Sequence, residues 1–330
     1  MPAYLLIGLL AGLTSVVLYL GTSSGSLLGL FLALISPLPI FMAGLGWGSL
    51  SAVIAAGAAS LTLGGLGMLI HDFAGWRLAV IYLITTAAVP VWLARLALLR
   101  RAVAADGQSS GEEWYPAGRL LLWIALISAA TLVGAGLIAY QADPRGLPGL
   151  TKHVIDLIMP EGSDLRARAM AETKISDWET LSLAMASTVP ATGGIVWQIV
   201  MVLNGLLAQA MLRGTRHNIR PAVGWQTITL PKLYALALPV AVVASFAGGH
   251  VAFFAGSLAA ILFVPYFFLG LTVVHAIPAR GAGRMVLLGL VYSVLLILYS
   301  PAILIGILGL LEQWTGIRAR FLAAARQEDG

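Results

Sequence analysis

Long apolar runs alternate with short polar connections along the whole chain: residues 3–20, 26–46, 48–70, 78–98, 119–140, 186–212, 233–249, 251–275 and 285–311. Each is near the roughly 20 residues that an α-helix needs to cross a hydrocarbon core about 30 Å thick. The pattern predicts an all-α fold, a polytopic transmembrane helix bundle of eight or nine hydrophobic helices. Two runs are irregular. The second carries Pro37 and Pro39 within SPLPIFMAGLGWG, and the last carries Pro301; a proline inside a helix removes a backbone donor and kinks or breaks it.

One long polar connection interrupts the pattern. Residues 141–185 hold seven acids (Asp143, Asp156, Glu161, Asp164, Glu172, Asp177, Glu179) and five bases (Arg145, Lys152, Arg166, Arg168, Lys174). In LTKHVIDLIM, Leu150, Val154, Ile155 and Ile158 share one face, the period of an amphipathic helix. A second helix is expected from Asp164 towards Ala186, with an N-cap at Ser163–Asp164. The segment reads as a helical hairpin that lies on the bilayer or serves as a lid or partner-docking surface. It divides the chain into an N-terminal bundle (1–140), the hairpin (141–185), a C-terminal bundle (186–311) and a polar tail (312–330).

Charge fixes an expected orientation. Only 10% of the residues are charged, against about 25% in a soluble domain, and mean hydropathy is +0.93. The charges sit in connections and at helix ends, as the cost of placing them in the bilayer core requires. Arg95, Arg100, Arg101 and Arg119 flank one loop, Arg213, Arg216, Arg220 and Lys232 another, and Arg280 and Arg284 a third. Positive loops stay in the cytoplasm, which puts the N-terminus inside and the 141–185 hairpin outside. The net charge of +5 is explained by these loops, so no nucleic-acid partner is expected. The first 20 residues lack a basic leader and a cleavage site and read as a retained helix. At the other end, Arg318, Arg320 and Arg326 favour a cytoplasmic tail, whereas nine crossings would put it outside.

Most chemistry is excluded. There is no cysteine, hence no disulfide, thiolate nucleophile or iron–sulfur cluster. No Walker A or HExxH motif is present, and the spans hold no paired carboxylates, so no catalytic residue, cofactor or metal site is expected. Three groups remain. Gly8 and Gly12 form a GxxxG motif, with Ala55 and Ala59 as its small-xxx-small counterpart; both allow close helix approach, for internal packing or for docking a membrane partner. Gln198, Asn204 and Gln209 lie in one apolar run and must point inwards, either as interhelical hydrogen-bond glue or as a polar site for a small molecule. His71, Asp72 and Trp76 in one outer turn, with His250 in another, line a candidate cavity mouth or are ordinary interface residues.

The segment SPLPIFMAGLGWG, the basic stretch leading into TLPKLYALALP and the ending ILGLLEQWTGIRAR resemble the YybS-like family of predicted bacterial membrane proteins, a domain of unknown function. In that ending, Gly309, Glu312, Trp314 and Arg318 stand where the family has Leu-Gly, an acid, an aromatic and Arg. A second resemblance, through Pro37-Leu38-Pro39 leading into Gly44, Gly46 and Gly48, is to the substrate-binding S components of energy-coupling-factor vitamin transporters, which use small-residue faces to dock a membrane partner. Together they imply a multi-pass bacterial inner-membrane protein. The leading expectation is a transport-related, substrate-binding subunit with a small-molecule ligand and a membrane-protein partner. The main alternative is a non-transporting scaffold or assembly factor, and a lipid-modifying enzyme ranks third.

Overall fold

The computed structural model describes residues 2–71, 75–103, 111–224, 228–277, 282–298 and 300–320. The chain is a membrane-type helical protein: among the described residues seven helical stretches are long and apolar enough to cross a bilayer, Ala3–Ser24, Leu27–Trp47, Ser49–Leu69, Trp76–Ala97, Ala117–Gln141, Trp178–Gly214 and Gly249–Ala276. Six of them answer the first six expected spans, and the seventh answers 251–275. The expected span 233–249 contains an 11-residue helix, Tyr234–Ala244, which at 1.5 Å per residue covers about 17 Å. The expected span 285–311 is two helices, Ala282–Ile297 and Ser300–Thr315. The second begins at Ser300–Pro301, where a proline's missing N–H is tolerated.

The order is α1 (Ala3–Tyr19), α2 (Leu27–Leu34), α3 (Leu38–Trp47), α4 (Ser49–His71), α5 (Gly75–Tyr82), α6 (Ala88–Ala97), β1 (Arg100–Val103), β2 (Gly111–Trp114), α7 (Ala117–Ala142), α8 (Gly146–Ile158), α9 (Asp164–Thr173), α10 (Trp178–Gly214), α11 (Tyr234–Ala244), α12 (Gly249–Ala276), α13 (Ala282–Ile297) and α14 (Ser300–Thr315). The all-α expectation has one exception. β1 and β2 form an antiparallel ribbon with Arg100 opposite Trp114 and Arg101 opposite Glu113, held by Arg100–Glu112 and Arg101–Glu113 ion pairs at 2.8 and 2.6 Å.

The compact units do not follow the sequence segments. One comprises Met1–Ile124 with Ile199–Thr229, the other Ala125–Gln198 with Leu230–Gly330. The boundaries fall inside α7 and α10, because helices of 26 and 37 residues are long enough to have different neighbours at their two ends.

In the first unit the two small-residue motifs meet each other. A methyl group on Gly8 would lie 2.8 Å from Ser51 O and 2.9 Å from Ile54 Cβ, and one on Gly12 would strike Ala55 O and come within 3.0 Å of Ala58 Cβ. Ala55 and Ala59 are fully buried. Residue numbers rise together along this contact, so α1 and α4 are parallel and the α2–α3 segment makes the single return between them. Ser51 Oγ donates to Tyr4 O at 2.9 Å, adding a polar tie.

In the second unit α11 runs antiparallel to α12, with Tyr234 stacked on Tyr266 at 5.3 Å. α14 packs closely on α12, where Gly270 faces Ile305 and Gly309 faces the Tyr266 carbonyl and Gly270 N. The 141–185 segment is helical, and Ser163 caps α9 by accepting from Arg166 N. The expected helix from Asp164 to Ala186 is interrupted, however: Lys174 takes φ +57°, and α10 starts afresh at Trp178, capped by Asp177, which accepts from Thr180 N at 2.9 Å. Lys152 binds Asp156 and Glu179 at 2.8 and 3.1 Å. Trp178 Nε1 donates to Asp156 at 2.8 Å, and the Arg166 guanidinium lies 4.4 Å above the Trp178 ring. The Lys152 ammonium, with the indole, holds the Asp156 carboxyl below the usual carboxylate range.

The α1–α4 contact yields a direct expectation. Gly12→Leu should destabilise the protein by about 3 kcal/mol, the upper end of overpacking costs, while Gly57→Leu on the open face of α4 should be nearly neutral. Detergent melting curves check this, and equal melting temperatures for the two variants would show that the contact is not packed as described.

Candidate functional site

In hydrocarbon no water replaces a lost backbone donor, so each helix break must be repaired by the protein itself. Several polar side chains of the spans stand at such breaks. In α12, Pro265 has no N–H to give Ile261 O. Gln198 Nε2 donates to that carbonyl at 3.1 Å, and the Tyr234 hydroxyl donates to the next one, Leu262 O, at 2.7 Å. Between α2 and α3, Pro37 cannot serve Ala33 O, which accepts from the Ser36 hydroxyl at 2.7 Å. Leu38 N turns to Ile35 O, and Leu34 O is left to Asn204 Nδ2 at 2.9 Å. Ser36 O accepts from the buried Ser15 hydroxyl, itself 2.6 Å from the Tyr82 hydroxyl. Ahead of Pro90 the helix widens into a π-turn, Leu83–Ala87, and Ala88 N reaches back to Leu83 O.

The amide candidates are therefore ties to carbonyls. Gln198 and Asn204 are buried; half-buried Gln209 makes longer bonds, 3.4 Å each, to Arg220 O and Pro221 O. Gln198 belongs to the second unit, and Asn204 and Gln209 belong to the first. Asn204 also donates to Val200 O at 2.8 Å. Its Oδ1 is buried and has no hydrogen-bond partner, as has Ser60 Oγ.

Nor do the outer candidates share one unit. Asp72 and the His71 side chain lie outside the described residues. Trp76, in the first unit, is 41% exposed. His250, in the second, is exposed and meets Tyr140 edge-on at 5.8 Å. Among the described residues no group of three His, Asp or Glu side chains is placed to hold a metal ion.

Two buried charges were not singled out as candidate site residues. Glu312 and Arg318 pair at 2.7 Å with side chains 6% and 8% exposed, and Glu312 also accepts from Arg318 N at 3.0 Å. Gly316, at φ +61°, makes the turn that brings the two together. The acid and the arginine of the C-terminal pattern are thus partners, and Gly309 is the close contact with α12. Arg220 is also buried; its guanidinium donates to Ala97 O at 3.1 Å, at the C-terminus of α6, and to Tyr115 O at 2.8 Å. Burial pushes its pKa down.

Comparisons with protein-family models, curated proteins and solved structures gave no match.

The proline–amide pairing makes a double-mutant expectation. Gln198→Ala should cost about 1 kcal/mol, within the range for hydrogen bonds between membrane helices. In a Pro265→Ala background, where position 265 regains its N–H, most of that cost should vanish. Equal costs in both backgrounds, measured by reversible unfolding in detergent, would mean that the amide does not serve the proline-freed carbonyl.

Proposed function

We propose that the chain is a bacterial inner-membrane scaffold or assembly factor, related to the YybS-like proteins, that holds a protein partner through its outer hairpin. The observation that carries this reading is that each candidate amide on α10 donates to a backbone carbonyl, and that the small-residue faces of α1 and α4 close on each other. Groups that would bind a solute or dock a transport partner are used internally. α9 has no buried residue, so its charged surface, with Arg168 and Glu172 exposed, is not required by the core and is free for an aqueous partner. A second reading, a substrate-binding subunit, draws support from Asn204 Oδ1, a buried acceptor without a donor.

The proposal includes nine crossings with the N-terminus in the cytoplasm. The parallel α1–α4 contact supports one crossing by α2–α3. The antiparallel α11–α12 hairpin supports two more after α10, and α14 is read as the ninth. α13 begins just after α12, and its Tyr292 ring lies 6.0 Å from His275 in the last turn of α12, so it is read as lying across that end. Arg318, paired with Glu312, does not count as free positive charge, which removes much of the argument for a cytoplasmic tail.

Because the chain has no cysteine, topology can be read from single replacements. Thr173→Cys and Ala319→Cys should react with an impermeant maleimide in intact cells, and Ser110→Cys and Thr215→Cys should not. Protection of Ala319→Cys would reduce the count to eight.

For function, native mass spectrometry of the gently solubilised protein should find a stoichiometric protein partner. Arg168→Glu combined with Glu172→Arg should release that partner without moving Tm, since exposed substitutions usually change stability by under about 0.5 kcal/mol. A stoichiometric small molecule in place of a protein would overturn this reading in favour of the substrate-binding one.

A further inference from the structure

Residues 217–221 gather several helix ends of the first unit. Ile219 N donates to Leu45 O at 3.3 Å near the end of α3, and the His217 ring stacks on Trp47 at 5.2 Å. Arg220 binds the last carbonyl of α6 and the Tyr115 carbonyl just ahead of α7. Gln209 and Asn218 both donate to Arg220 O.

Four guanidinium groups leave from the ends so gathered: Arg95 in the last turn of α6, Arg119 in the first turn of α7, Arg213 in the last turn of α10, and Arg216 just beyond it. All four are exposed. None forms an ion pair among the described residues, because Glu112 and Glu113 are taken by Arg100 and Arg101. Aromatic rings mark the same end: Trp123 Nε1 donates to the Tyr115 hydroxyl at 3.1 Å, and Trp92 meets Trp123 edge-on at 5.3 Å. Indoles and phenols concentrate at the depth of lipid headgroups.

Arg216 adds an independent observation. It sits at φ +58°, with its N–H on Arg213 O and the His217 N–H on Leu212 O, at 3.1 and 2.9 Å. This is the Schellman ending of α10, in which the left-handed residue is usually glycine. An arginine held there works against backbone preference. Helix orientation by positive loops needs charge somewhere in the loop, not at this residue.

We propose that this end of the first unit binds the phosphodiester headgroup of an anionic phospholipid through Arg95, Arg119, Arg213 and Arg216. A guanidinium fork matches phosphate oxygens two at a time, and basic sites between helix ends take such headgroups. Arg220 is the positioning residue, since its guanidinium donates to the Ala97 and Tyr115 carbonyls at the helix ends it brings together.

The test uses the full chain in nanodiscs. In phosphatidylcholine alone Tm is the baseline; adding cardiolipin or phosphatidylglycerol should raise it by about 2–4 °C, and phosphatidylethanolamine should not. Inorganic phosphate at matched ionic strength should not reproduce the rise; if it does, the site is one for a free anion and the lipid proposal fails. Arg216→Gly should melt higher than the parent in phosphatidylcholine, because the left-handed strain is relieved, yet gain less from cardiolipin. Arg95→Gln with Arg119→Gln should also blunt the gain. The proposal is overturned if both variants keep the full cardiolipin increment.

Discussion

A carbonyl oxygen in hydrocarbon must have a donor, and in this protein proline repeatedly takes that donor away. Pro37, Pro90 and Pro265 interrupt the helices of the apolar stretches, and an unsatisfied backbone group in lipid costs several kcal/mol. The polar side chains of the spans make sense against that constraint. Ser36 and Asn204 serve the α2–α3 break, Gln198 and Tyr234 serve the one in α12, and the π-turn ahead of Pro90 reroutes the backbone itself. What looks from composition like a scatter of amides is a set of local substitutes for water.

The long spans were legible because about 20 apolar residues in a row have one physical reading. The 11-residue α11 was not, because hydropathy continues past Ala244 while the backbone turns at Gly248 and Gly249, both at positive φ. The ribbon of β1 and β2 was equally hidden, since its strands carry cross-strand ion pairs and not an apolar alternation. At the candidate site, each amide and each proline could be read separately. Their pairing could not: Gln198 and Ile261 are 63 residues apart, and Asn204 and Leu34 are 170 apart. The same holds for Gly8 and Gly12, whose spacing announced a close approach but not that Ala55 and Ala59 would receive it.

Close packing and hydrogen bonding divide the work by location. Where α1 meets α4, and α12 meets α14, backbones touch through Gly, Ala and Ser with little room for side chains. Where a helix is broken, a side chain from another segment reaches in. Neither device depends on burying apolar surface from water, which is the driving force that lipid withholds.

The Glu312–Arg318 pair makes the end of α14 depend on sequence beyond it. A buried charge without its partner is strongly disfavoured, and Arg318 follows Glu312 by six residues. A truncation or fusion junction placed between Thr315 and Arg318 would therefore keep all of α14 yet leave its last turn with an unneutralised carboxylate.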